Sequence, residues 1–85
     1  MQDATFQQPV HIAFGRPAPV LSITTTQEAA RHLLGSQWPE GPMREIAALA
    51  LVGVSSGDVT TDEAREAFVD AAIEAGVLIA ANSTI

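Results

Sequence analysis

The sequence predicts an α+β domain: an N-terminal β-hairpin packed against three helices, with a short C-terminal strand or an extended tail in its place. Three observations carry this expectation. Apolar residues alternate at period two in "PVHIAF" (9–14) and "VLSIT" (20–24). From residue 25 onward the period becomes helical, in three runs separated by Gly and Pro. Two S/T-x-x-E capping boxes, Thr25/Glu28 and Thr60/Glu63, mark the starts of two of these runs. A hairpin alone leaves an apolar face bare, so the helices must cover it.

The polar start "MQDATFQQ" (1–8) reads as a flexible arm, and residues 9–80 as one domain followed by a flexible end, 81–85. In the first strand Val10, Ile12 and Phe14 share a face, and in the second Leu21 and Ile23 do. "GRPAP" (15–19) is the loop between them. The first helix follows Thr25 and turns Ala29, Ala30, Leu33 and Leu34 inward, with Gly35 as its stop. The second opens at Pro39 or Pro42, and Gly53 offers an end. It is apolar nearly all round: Met43, Ile46, Ala47, Ala50 and Val54 form one face, with Ala48, Leu49 and Val52 opposite. "SSGD" (55–58) reads as a turn. The third helix follows Thr60, has a face of Ala64, Ala67, Phe68, Ala71, Ala72 and Ala75, and stops at Gly76. "VLIA" (77–80) adds a strand to the hairpin or docks as a tail; the strand is the reading taken here.

Composition narrows the function. The chain has 85 residues, so it buries only roughly 60–65% of its unfolded surface. Its net charge is −6, with four Arg, no Lys, and acids crowded between Asp58 and Glu74. Nucleic acid and anionic membrane both favour a basic face, so neither is an expected partner. The absence of Cys excludes disulfides, thiolate catalysis and Cys-ligated zinc. No apolar run is long enough to span a bilayer, and the start does not read as a signal peptide. A cytoplasmic location is the expectation.

Several motifs together resemble a known family. They are Pro9-Val10-His11-Ile12, then Glu28-Ala29-Ala30 with Leu33-Leu34, then Trp38-Pro39. The run from Gly41 to Gly53 follows, and then Ala64-Arg65, Ala67-Phe68, Ala71-Ala72 and Glu74-Ala75-Gly76. In this order and spacing, from about Pro9 to Leu78, they resemble the bacterial domain-of-unknown-function family 982. Members often carry a Cys in the second helix, which this chain lacks. The resemblance implies a fold and a bacterial cytosolic setting. It implies no activity.

Five features are candidate sites. Pro39 keeps Trp38 out of the helical conformation, so Trp38 is free to fold back over Leu34 and seal the junction of the first two helices. The rival reading makes Trp38, with Phe14 and Phe68, the wall of a small-molecule pocket between hairpin and helices. Asp62, Glu66, Asp70 and Glu74 recur every four residues and read as a solvated face, although Glu74 opposes the dipole of its own helix. His11 and His32 have no nucleophile or metal partner in sequence, and His32 can pair with Glu28. Arg65 reads as one half of an ion pair with the acids around Glu66 or with Glu45, or as a recognition group for a partner carboxylate. The "SSGD" turn lacks the phosphate-cradle pattern.

No catalytic, cofactor-binding or metal-binding residue is assigned. The expected function is a non-enzymatic protein-interaction module, pairing with itself or with another protein. Ala48, Leu49, Val52, Val69 and Ile73 are its expected interface, because a domain this small cannot bury both sides of every helix. The alternative is the small-molecule pocket beside Trp38.

Overall fold

The structure, a computed structural model, describes residues 5–14 and 19–79. Strands β1 (Thr5–Ile12) and β2 (Leu21–Thr25) pair antiparallel, and helices α1 (Thr26–Leu33), α2 (Pro42–Ser56) and α3 (Thr61–Ala75) follow. The α+β expectation is met. Helices α1 and α3 pack on the hairpin, and α2 is held by α1 and α3 rather than by the strands.

β1 begins at Thr5, four residues ahead of the strand read from the sequence. Phe6 has the same parity as Val10 and Ile12, and all three are buried. The register is irregular between Thr5, opposite Thr25, and Val10, opposite Ile23. Pro9 lies within that interval. It has no N–H to give a ladder, so an irregular stretch is where a strand tolerates it. Residues 1–4, part of the expected flexible arm, and the expected end 81–85 lie outside the described residues.

Among the described residues the C-terminal segment forms no third strand, and Ala80 of the expected strand lies outside them. The segment makes one bridge, Ile12 to Leu78, with backbone bonds from Ala13 N to Val77 O (2.9 Å) and from Ile79 N to His11 O (2.8 Å). Residues 77–79 thus lie along that edge of β1.

Helix ends follow capping chemistry, with three departures from the sequence reading. First, α1 ends at Leu34 rather than at a left-handed Gly35, and Leu34 turns to solvent as the chain leaves the helix. Second, α2 runs past Gly53 to Ser56 and ends on Gly57, whose φ of 87° is the left-handed conformation that glycine tolerates. Ser55 and Ser56 are therefore helical. Gly53 serves another purpose: its hydrogen faces Val59, and a Cβ there would collide with that side chain. Its carbonyl also accepts from Asp58 N (2.8 Å) and Val59 N (3.2 Å). Third, Ile46 leaves the core face. The buried arc of α2 is centred on Ala47 and Leu51, and Ile46 lies about 100° from Ala47 around the helix. For α3 the capping box at Thr60 and Glu63 forms as read, and Gly76 is left-handed with φ 74°.

The core centres on Phe68. Its ring centroid lies 5.4 Å from that of Trp38 and 6.4 Å from that of Phe6. Ala64, Ala71 and Ala72 are fully buried around it, so neighbouring elements approach α3 closely.

Candidate functional site

The outer face of α2 is the candidate site, and two charged side chains hold the helix in place. Arg44 lies in the first turn of α2, where a cation opposes the helix dipole. Its Nε donates to Leu33 O (2.8 Å) and so satisfies a terminal carbonyl of α1. Glu74 lies in the last turn of α3, again against its own dipole, and its Oε1 accepts from Met43 N (3.1 Å) at the start of α2. The N-cap of α2 is Gly41, which has no side chain to cap with, and a Cβ at Gly41 would strike the Glu74 carboxylate. Each charge that misfits its own helix serves the end of a neighbour. Sequence reasoning noted the misfit of Glu74 and missed its purpose. It missed Arg44 entirely, although the same signal was present.

So held, α2 buries Ala47 and Leu51 and half-buries Met43, Ala48, Ala50 and Val54 against the core. The opposite side carries Leu49 (72% exposed), Val52 (65%) and Ile46 (51%). Glu45 is the one charged residue among the exposed positions of α2; the others are Pro42, Ser55 and Ser56. The contrast with α3 is sharp: there Asp62, Glu63, Glu66, Asp70 and Glu74 are exposed, and Ile73 is the lone exposed apolar residue among them.

The five expected interface residues differ in exposure. Leu49 and Val52 reach the surface as expected, but Ala48 is half-buried. Val69 is half-buried too, and Ile73 is exposed on α3. Arg65, Val69 and Ile73 form an i, i+4 stripe on α3. Arg65 reaches β1, whereas Glu74, 100° further round from Ile73, reaches α2. Ile73 lies between these two directions, about 80° round from Arg65, and so faces outward among the acids of α3.

Arg65 forms neither of the expected ion pairs. Its Nε donates to Gln8 O (2.9 Å) in the irregular part of β1. With Gln7, Gln8, Asp62 and Glu66 it lines an open polar depression of about 160 Å³.

Trp38 is 3% exposed and is a core residue. It does not fold over Leu34, which is exposed. It meets Phe68 and, edge to face at 5.9 Å, Phe14. A backbone bond from Trp38 N to Gly35 O turns the chain toward the core. His32 stands 6.2 Å from the Phe14 ring, and His11 contributes its carbonyl to the contact with Ile79. Glu28 turns to Thr24 instead of pairing with His32, accepting from Thr24 N (3.0 Å) and Oγ1 (3.2 Å). The Thr24 backbone bond is the main cause that holds the Glu28 carboxyl below its usual pKa, with Arg31 and His32 adding to it. Among the described residues no three of His, Asp and Glu are grouped to hold a metal ion, and no helix is long and apolar enough to cross a membrane.

Fold and surface define a small α+β domain with an apolar outer helix. The family described as Protein of unknown function (DUF982) matches residues 8–79, and the chain belongs to that family. Comparison with curated proteins and with solved structures gave no match.

Proposed function

We propose that this chain is a non-enzymatic protein-interaction module of the bacterial cytoplasm that works as a homodimer through the outer face of α2. The observation that carries this reading is the exposed row Ile46, Leu49 and Val52 on a helix whose solvent side bears a single charge. The row is self-complementary. A two-fold axis at Leu49 sets Leu49 against its own copy and Ile46 against the partner's Val52. The acidic face of α3 repels a second copy, so α2 is the side on which two such chains can meet. A stable interface takes about 800 Å² from each partner, more than three side chains provide. Leu34 is exposed next to the Leu33 carbonyl that Arg44 holds, and it widens the apolar surface at that end of α2.

Light scattering after size exclusion tests the reading. Wild type is expected as a dimer at micromolar concentration, and Leu49→Glu as a folded monomer. A wild-type monomer that purifies with a small bound molecule would replace this reading with the ligand pocket. A wild type that purifies with a different chain would replace the homodimer with an adaptor.

A further inference from the structure

The two edges of the hairpin are treated differently. On β1, His11 and Ala13 give their backbone groups to residues 77–79. Val10 and Ile12 therefore face β2, opposite Ile23 and Leu21. Alternation then directs the backbone groups of Ser22 and Thr24 to the outer edge of β2. Among the described residues no strand lies along that edge. An open edge invites another strand.

One side chain occupies it. Glu28 Oε1 takes the outward N–H of Thr24 at 3.0 Å and the Thr24 hydroxyl at 3.2 Å. The carboxylate is anchored because Glu28 N donates to Thr25 Oγ1 (3.1 Å). In an ordinary capping box the Glu would bond the N–H of Thr25 itself. Here Thr25 still belongs to the strand, opposite Thr5, and the carboxylate reaches one residue further, to the edge donor.

We propose that Glu28 is a latch that shuts the β2 edge, and that without it the edge accepts the β2 strand of a second copy. An antiparallel pairing centred on Ile23 sets Ser22 against the partner's Thr24 and makes four backbone bonds. Two of them use the Thr24 N–H groups that Glu28 holds. The latched carboxylate would also face the carbonyls of an incoming strand, and the two repel.

The test is made on a Leu49→Glu background, which removes association through α2 and separates this proposal from the previous one. In that background Glu28→Ala is expected to dimerise in sedimentation velocity at about 100 μM. Glu28→Gln, whose amide oxygen can still accept from Thr24, is expected to stay monomeric. Adding Thr24→Pro to Glu28→Ala deletes the edge donor and is expected to restore the monomer. Thr60→Ala, which removes the cap of α3 and leaves Thr24, Thr25 and Glu28 untouched, is the control for loss of stability. A Glu28→Ala chain that stays monomeric, associates despite Thr24→Pro, or associates no more than Thr60→Ala overturns the proposal. Hydrogen exchange on the Leu49→Glu parent needs no latch variant: slower exchange at Thr24 than at Ser22 supports the latch, and equal exchange overturns it.

Discussion

Glu28 shows how much one carboxylate does in this fold. Its anionic form is favoured by the Thr24 backbone bond, so its folded pKa lies below its unfolded value near 4.5. A depressed carboxylate pKa stabilises the fold at any pH above the unfolded value, and the contribution fades as pH falls through the folded one. The start of α1 is therefore expected to loosen below pH about 4.5, earlier in wild type than in Glu28→Gln, with amide exchange at Thr24 and Glu28 as the readout. Glu74 gives a second prediction at this scale. Glu74→Ala strips the N–H of Met43 of its acceptor and is expected to lower stability by about 1 kcal/mol, the usual loss for a helix cap. Chemical denaturation checks this. Neither role was legible in full. The capping-box spacing located Glu28 at the start of a helix, but the choice of Thr24 over Thr25 depends on the ladder across the hairpin. The sequence marked Glu74 as a charge at the wrong end of its helix, and only the packing of α3 against α2 shows which helix it serves.

The helices of this chain were readable where capping is local and less so where packing decides. Thr60, Glu63 and Gly76 sit at the ends of α3 as their spacing demands, because each bond spans only a few residues. Gly53 misled because a glycine in an apolar helix has two uses, as a stop or as a point of close approach. Gly57, four residues on, is the stop, and Val59 needs the space at Gly53. Gly53→Ala is accordingly expected to destabilise although Ala is the better helix former, since the added methyl meets Val59. Gly57→Ala is expected to lose about 1 kcal/mol through its left-handed backbone alone. Melting curves for the two variants separate the causes: Val59→Ala should rescue Gly53→Ala and leave Gly57→Ala unchanged. The missed part of β1 has a comparable origin. Gln7, Gln8 and Pro9 break the apolar alternation that Phe6 begins, and the irregular register accommodates that break.

At the scale of the molecule, a chain with few large side chains spends them centrally and leaves one helix half dressed. Phe14, Trp38, Phe68 and Phe6 meet ring to ring in one aromatic row, and Trp38→Ala is expected to lose about 3–5 kcal/mol, enough to unfold a domain of this size. Fluorescence-independent unfolding by circular dichroism checks that. The burial of Trp38 was legible because a thin core needs its largest residue inside, but its seat against Phe68 and Phe14 rather than over Leu34 was not. The exposed face of α2 was half legible: its two-sided apolar pattern pointed to Leu49 and Val52, but it set Ile46 on the core face, and only the packing against α1 and α3 turns Ile46 outward. The central claim is that two chains meet at Leu49. Because the chain has no cysteine, a single Leu49→Cys places one thiol on the proposed two-fold axis. Under mild oxidation this variant should convert to a disulfide-linked dimer, while Ile73→Cys should stay largely monomeric. Equal cross-linking of the two, or none at Leu49→Cys, would contradict the account.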